Sequence, residues 1–218
     1  MKKYYEAYDK RYGAVHEKGL RWTHDIKTPA VLQMIEKYCK KDGKILEIGC
    51  GEGRDAKAVL YAGYDLYASD ISKTAIDFCR ADMPDHAERF FVLDCINGEL
   101  NSCFDFIYSV AVLHMLTEDC DREAFYAFIK KHLKKGGKAL VTSMGDGKTE
   151  KRSDPGKAFE ESVRQLDGKD VTVVETTCRI VSFDTFEREI RAAGFVINEK
   201  GVTSVIPEFD SLMYAVIE

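Results

Sequence analysis

The strongest constraint on the fold is a short apolar run followed at once by three glycines in five residues, in ILEIGCGEGRDA at 45–56. Glycine backbone can approach a ligand closely, and the next apolar residues, Ala56, Val59 and Leu60, recur at helical spacing. A strand, a glycine loop and a helix in this order predict a ligand site at the carboxyl end of a parallel strand.

Strand-like runs alternate with helix-like runs over the middle of the chain. The predicted strands are 44–48, 64–69, 89–93, 104–110 and 138–144. Ser72 is expected to cap the second helix, and Gly136 and Gly137 to end the helix before the fifth strand. Apolar strands separated by helices predict a parallel sheet covered on both faces, an α/β, doubly wound, Rossmann-like fold.

Two regions lie outside this alternation. Before it, a helix is predicted to open at Thr28-Pro29, preceded by an aromatic segment with tyrosines at 4, 8 and 12. After it, residues 145–182 are predicted to hold a polar stretch, a helix over 158–166 and two β-like runs. A helix capped at Asp184 and a terminal hairpin containing Pro207 follow. We expect one domain over 1–218, with an N-terminal helical cover at 1–40 and a cap insert at 145–182.

Charge and cysteine usage narrow the function classes. The net charge of −5 disfavours a nucleic-acid partner, because binding nucleic acid depends on cationic side chains. The sequence contains no apolar run long enough to predict a membrane segment. The seven cysteines form no C-x-x-C pair, which favours reduced thiols in a cytoplasmic protein without a metal site. The sequence carries no signal for an oligomeric state.

The glycine spacing and three carboxylates indicate what the loop binds. Dinucleotide sites use G-x-G-x-x-G, whereas the loop here is G-x-G-x-G, which disfavours a pyrophosphate. Asp70 ends the second strand, 21 residues after Gly49, where it can accept hydrogen bonds from ribose hydroxyls. Glu47 could organise the loop or face a cationic group, and Asp94 ends the third strand beside Cys95 and Ile96, where an adenine amino group could be recognised.

Five motifs in order, ILEIGCGEGRD, LYASDIS, FFVLDCIN, FDFIYSVAVLHML and LKKGGKALVTSM, resemble those of class I S-adenosylmethionine-dependent methyltransferases over roughly residues 28–144. The resemblance implies a seven-stranded sheet with an antiparallel last strand. The implied cofactor residues are Gly49, Cys50, Gly51 and Gly53 at the methionine part, Asp70 at the ribose, Ile71, Asp94 and Cys95 at the adenine, and Val110 from the fourth strand. The glycine loop is most similar to the small-molecule branch that includes thiopurine and tellurite-type enzymes.

The resemblance implies direct in-line methyl transfer to a small-molecule acceptor, which needs orientation rather than a nucleophilic triad. His114 follows the fourth strand and is a candidate general base or orienting group, or a loop histidine without a catalytic role. Tyr12 or Trp22 could close over the cofactor, or the aromatic residues could be core packing. Lys148 and Arg179 are candidate anchors for an anionic acceptor, or solvated charges.

Three alternatives to this function stay open. One is an NAD(P)-dependent oxidoreductase, and another is a non-enzymatic S-adenosylmethionine-binding protein. The third is a methyltransferase acting on a macromolecule, which the acidic net charge disfavours. Arg54, at the start of the first helix of the alternation, is expected to pair with Asp55 or Glu47, or to orient the cofactor's carboxylate.

Overall fold

The computed structural model describes residues 3–203 and 211–218. Its α-helices are α1 (Ala7–His16), α2 (Pro29–Tyr38), α3 (Arg54–Tyr61), α4 (Lys73–Asp82), α5 (Asp119–His132) and α6 (Phe183–Ala192). Its strands are β1 (Lys44–Ile48), β2 (Asp65–Asp70), β3 (Phe90–Val92), β4 (Phe104–Ser109), β5 (Leu133–Met144), β6 (Lys151–Arg152), β7 (Glu161–Leu166), β8 (Lys169–Val174), β9 (Arg179–Ile180), β10 (Ile197–Thr203) and β11 (Leu212–Ile217).

Seven of these strands form one sheet in the order β10-β11-β5-β4-β1-β2-β3. The pairs β1–β2, β1–β4, β2–β3 and β4–β5 are parallel, whereas β11 runs antiparallel to both β5 and β10. The predicted doubly wound sheet with an antiparallel last strand is therefore confirmed. The predicted terminal hairpin is present as β10 and β11, and Pro207 lies outside the described residues.

The sheet is covered on both faces, as its apolar strands require. Helices α2, α3 and α4 pack on one face, where Ile35, Val59 and Ile76 are fully buried. Helices α5 and α6 pack on the other, through Phe125 and Phe186 among others. The five parallel strands, β1 to β5, end at one edge of the sheet.

The helix predicted over 158–166 is wrong. Residues 161–166 form β7, which pairs antiparallel with β8 and places Leu166 opposite Lys169. Asp167 and Gly168 join the two strands with φ angles of 47° and 75°, the left-handed backbone that a two-residue hairpin turn needs. The apolar residues in this region are spaced as in a helix, but the backbone hydrogen bonds are those of the hairpin.

Two predicted helix boundaries also differ. Helix α6 is capped by Ser182, whose Oγ accepts a hydrogen bond from the Thr185 amide at 3.3 Å, rather than by Asp184. Helix α5 ends at His132, and Leu133 already pairs with Phe104, so Gly136 and Gly137 lie within β5. The predicted caps of α2 and α4 were placed correctly at Thr28 and Ser72.

Candidate active site

A cavity of about 440 Å³ lies at the carboxyl ends of β1, β2, β3 and β4. This volume is within the range of small-molecule and cofactor sites, which usually occur at this edge of an open parallel sheet. The predicted site residues that line it are Trp22, Glu47, Gly49, Cys50, Gly51, Asp70, Ile71, Asp94, Cys95, Ile96, Val110 and His114. The sheet therefore brings residues from four strand ends and from the N-terminal region around one space.

Two glycines of the loop lie where their surroundings leave no room for a side chain. Gly49 has a φ of 74°, and a Cβ there would lie 2.1 Å from Val112 Cγ2. Gly51 has a φ of 53°, and a Cβ there would lie 2.7 Å from the Tyr12 hydroxyl. Both positions need the left-handed backbone that glycine adopts without strain, and both keep the loop backbone at the cavity wall.

Gly53, the third glycine, is not among the residues lining the cavity. It is the N-cap of α3 with a φ of 78°, and a Cβ there would lie 2.9 Å from Cys79 Sγ. Gly53 therefore allows the loop to pack closely on α4.

Asp70 holds the glycine loop and the start of α4 together. Its Oδ2 accepts a hydrogen bond from the Gly51 amide and its Oδ1 accepts one from the Ser72 amide, each at 2.8 Å. The side chain is buried, and burial raises the pKa of this carboxyl above its ordinary value. Each carboxylate oxygen has further acceptor capacity, so Asp70 can also accept from ligand hydroxyls.

Asp94 shapes the loop after β3. Its Oδ1 accepts from the Ile96 amide at 2.9 Å, and its Oδ2 accepts from Asn97 Nδ2 at 2.7 Å. Asn97 Nδ2 also lies 3.1 Å from the Tyr5 hydroxyl oxygen, to which it donates. Burial raises the pKa of the neighbouring Cys95 thiol to about 12, so this thiol is a neutral, compact part of the wall.

Glu47 is a buried carboxyl at the end of β1, and the Tyr108 hydroxyl donates to its Oε2 at 2.8 Å. Burial, followed by the nearby charge of Asp55, raises its pKa well above the ordinary value. Of the two predicted partners, Arg54 pairs with Asp55, whose Oδ2 is 3.0 Å from Arg54 Nη2. Among the described residues, Glu47 therefore has no ion-pair partner. Its carboxyl would interact favourably with a cationic ligand group.

Glu52, which the sequence analysis did not single out, fastens the N-terminal segment to the glycine loop. Its fully buried carboxylate accepts from the Trp22 amide at 2.9 Å and from the amide and hydroxyl of Thr23, both at 2.7 Å. His16 Nε2 lies 2.7 Å from the same carboxylate. Within the predicted 1–40 cover, residues 4–23 are held in place by this side chain together with the contacts that follow, and this part is called the cover below.

The cover is also attached at two helix N-termini. Asp9 accepts from the Ser72 hydroxyl at 2.7 Å and from the Thr74 amide at 3.0 Å, at the start of α4. The Tyr4 hydroxyl donates to Asp121 Oδ2 at 2.6 Å, in the first turn of α5. These bonds fix the cover across the edge of the sheet.

The β7–β8 hairpin of the insert packs against α1. Val15 of α1 forms a small buried cluster with Val171 and Val173 of β8, and Leu20 and Trp22 pack against it. The cover and this hairpin therefore share a core that is separate from the two cores of the main sheet.

His114 lies in a short 3-10 turn after β4 and is almost completely buried. Burial, and secondly the charge of Arg122, lower its pKa to about 4, so the imidazole is neutral near pH 7.

Arg179 and Lys148, the predicted anchors for an anionic acceptor, are not among the cavity-lining residues. Arg179 instead pairs with Asp119 at 2.6 Å, and Lys148 lies on an exposed loop.

Within 3–203 and 211–218, no cluster of His, Cys, Asp and Glu has the geometry of a metal site. No helix in this part of the chain is long and apolar enough to span a bilayer.

Residues 46–141 match the family profile described as a methyltransferase domain. Over 120 residues the chain is 26% identical to a protein of Encephalitozoon cuniculi (strain GB-M1) described as an inferred methyltransferase, covering 55% of this chain and 54% of that protein. The chain spans about half or less of the length of the curated relatives it matches.

Solved structures with a similar fold cover nearly all of the chain. The CcbJ methyltransferase from Streptomyces caelestis superimposes with a TM-score of 0.72 at 11% identity, covering 100% of this chain and 99% of that one. The glycopeptide N-methyltransferase MtfA, in complex with S-adenosylmethionine, gives a TM-score of 0.63 at 17% identity, covering 86% of this chain and 92% of that one. The chain therefore has the fold of these solved methyltransferases, and its residues 46–141 match the profile of a methyltransferase domain.

Proposed function

We propose that this protein binds S-adenosylmethionine in the cavity and transfers its methyl group to a small-molecule acceptor. The observation that carries the proposal is the convergence of the bare glycine loop, Asp70 and Asp94 on one buried space. Each group comes from a different strand end, and each is of the type that the proposed ligand needs at that place.

The residues present fit this cofactor. Without side chains at Gly49 and Gly51, the loop backbone can lie against the methionine part, and Asp70 can accept from the ribose hydroxyls. The apolar side chains of Ile71 and Ile96 can flank the adenine ring beside Asp94. The Glu47 carboxyl supplies negative charge where a cation would lie, although its raised pKa makes that charge depend on a bound cation.

S-adenosylmethionine, when bound, supplies an activated methyl group together with its leaving group. The chain's own residues then orient the acceptor, which can contribute about 7–11 kcal/mol to catalysis, and exclude water by means of the cover. We propose that neutral His114 positions the acceptor by a hydrogen bond, since a pKa of about 4 makes it a weak proton acceptor near pH 7.

The position of the site between the cover and the insert supports a small acceptor. Both the cover and the insert at 145–182 contribute residues to the cavity lining, among them Tyr8 and Thr176. We propose that these two segments form the acceptor side of a single-domain enzyme. A thiopurine- or tellurite-type acceptor, a cytoplasmic location and the absence of a nucleic-acid partner remain predictions from the sequence.

Isothermal titration with S-adenosylhomocysteine tests the proposal directly. We expect micromolar-range binding that is lost in Asp70→Ala and retained in Asp65→Ala, a matched change at the opposite end of the same strand. NADH and NADPH are expected not to bind. Tight binding of either nicotinamide cofactor, with no response to S-adenosylhomocysteine, would overturn the proposal in favour of an oxidoreductase. Binding without methyl transfer to any acceptor in a broad screen would favour a non-enzymatic role.

A further inference from the structure

Arg11, on α1, is a cation at the wall of the cavity. It is only 6% exposed, and it belongs to the residues that line the space. Its Nε and Nη2 donate to the Val174 carbonyl oxygen at 3.0 Å and 2.7 Å. Its guanidinium carbon lies 4.5 Å from the centre of the Trp22 ring and 5.4 Å from that of Tyr8. The backbone bond and the two rings fix the direction of the guanidinium.

The charge of Arg11 is poorly matched by the protein. Its ion-pair partner is Glu175, at 3.9 Å, which is beyond hydrogen-bond distance. The Glu175 carboxylate is instead hydrogen-bonded to Arg164 Nη2, at 2.9 Å and 3.2 Å to its two oxygens. Within the described ranges, no carboxylate hydrogen-bonds to Arg11, and Nη1 forms no hydrogen bond. A buried cation of this kind is costly unless a ligand completes its pairing.

Arg54, the other arginine that lines the cavity, differs from Arg11 in how its charge is paired. Its Nη2 is 3.0 Å from Asp55 Oδ2 and 3.3 Å from the Thr28 hydroxyl, so its charge is already paired within hydrogen-bond distance. Arg54 belongs to the glycine-loop side, whereas Arg11 is bonded to β8 of the insert. The arginine without a carboxylate at hydrogen-bond distance is therefore the one bonded to the insert, and not the one at the glycine loop.

The surroundings of Arg11 on that side are largely apolar. Met144, Leu166 and Cys178 line the cavity there, together with the Tyr8 and Trp22 rings. The Thr176 hydroxyl donates to the Tyr8 hydroxyl oxygen at 3.2 Å, so this tyrosine is oriented by the insert. A ligand that suits both features has an apolar body and one anionic group.

We propose that Arg11 binds the carboxylate of the methyl acceptor, and that the acceptor is a small, apolar organic acid. This inference rests on the proposed function, because it assigns the acceptor side of the same site. Arginine presents paired N–H groups in a plane, which matches a carboxylate better than a point charge does. The Nη1 donors are the ones available for this contact.

The test uses full-length protein saturated with S-adenosylhomocysteine, titrated with benzoate, phenylacetate and 3-phenylpropionate and with the corresponding amides. We expect at least one carboxylate to bind ten times or more tighter than its amide. Arg11→Met should abolish that preference, and Lys10→Met, an exposed charge change on the same helix, should retain it. Arg11→Lys should keep the preference with about tenfold weaker binding, since one ammonium replaces two N–H groups in a plane. Thermal unfolding checks that each variant is folded.

Three results would overturn the inference. The first is the absence of any carboxylate preference in the parent protein, and the second is its persistence in Arg11→Met. The third is that Arg11→Met weakens S-adenosylhomocysteine without affecting 5′-methylthioadenosine, which lacks the carboxylate, since Arg11 would then bind the cofactor. If S-adenosylhomocysteine itself fails to bind the parent protein, the proposed function fails instead, so the two failures are distinguishable.

Discussion

Glu52→Gln is expected to release the part of the cover at Trp22 and Thr23 while leaving the main sheet intact. In the parent protein one carboxylate accepts from the Trp22 and Thr23 amides and from the Thr23 hydroxyl. A glutamine has one acceptor oxygen and one NH2 group. In either orientation of its amide, the NH2 group faces a backbone N–H, at Trp22 or at Thr23. At least one of these amides therefore loses its partner.

The expected loss follows from these bonds. An unsatisfied buried donor costs about 1–3 kcal/mol, and the remaining bonds weaken because a neutral amide accepts less strongly than a carboxylate, by roughly 1 kcal/mol. The sum is about 2–4 kcal/mol. Because every 1.4 kcal/mol is about a tenfold change in an equilibrium, even the lower figure increases transient opening of the cover by roughly 30-fold.

Hydrogen exchange of the Trp22 and Thr23 amides measures this opening, and urea unfolding measures the global effect. We expect protection of these amides to fall by 30-fold or more, with little change for amides in β1 and β4. Glu123→Gln, an exposed glutamate on α5, is the control and should change neither measurement. If both amides keep their protection within threefold in folded Glu52→Gln, this carboxylate does not hold Trp22 and Thr23 in place, and the reasoning is refuted.

Three further predictions concern the glycine loop, a buried carboxyl and a helix cap. Gly49→Ala should lower the free energy of unfolding by about 1–2 kcal/mol for its left-handed backbone, plus a further loss from the contact with Val112. Gly63 has a φ of 78°, and a Cβ there would meet only Lys41 Nζ, at 3.9 Å. Gly63→Ala should therefore lose only the backbone part in urea unfolding, so equal losses would contradict the steric argument. The raised pKa of Glu47 means that its contribution to stability is fully present below its unfolded value, near pH 4.5, and is lost as the pH rises through the folded value. Glu47→Gln should therefore gain stability relative to the parent as the pH rises from 5 to 8, and a stability difference that is equal at both pH values would show that burial does not perturb this carboxyl. Ser182→Ala should cost about 1 kcal/mol by chemical denaturation and Asp184→Ala much less, whereas the reverse order would restore Asp184 as the cap.

The elements that could be predicted from sequence are those whose signals are local. The apolar strands, the glycine loop and the Ser72 cap each depend on neighbouring residues, and they were placed correctly. The error over 158–166 arose because the apolar spacing was weighed without the Asp167-Gly168 pair, a common signal for a two-residue hairpin turn. That signal was present in the sequence and could have corrected the prediction.

The residues that sequence reasoning missed act through distant partners. Glu52 accepts from residues 29–30 positions earlier, and Arg11 donates to a carbonyl 163 positions later. Nothing beside either residue indicates these contacts, because they exist only once the cover lies across the sheet edge. The same applies to the pKa of His114, since its titration depends on burial that a single sequence does not reveal.

The attachment of the cover to the insert has a consequence for synthesis. Arg11 and Tyr8 contact residues 163 and 168 positions further along the chain. At about 5–20 residues per second, translation separates the two partners by roughly 10–30 s. During this interval the tyrosines and the arginine of the cover have no insert to bind, and the strands β1 to β4 are made before the insert. The acceptor side of the cavity is therefore completed only after residues 166–178 leave the ribosome, so a nascent chain arrested before them holds the glycine loop but no closed site.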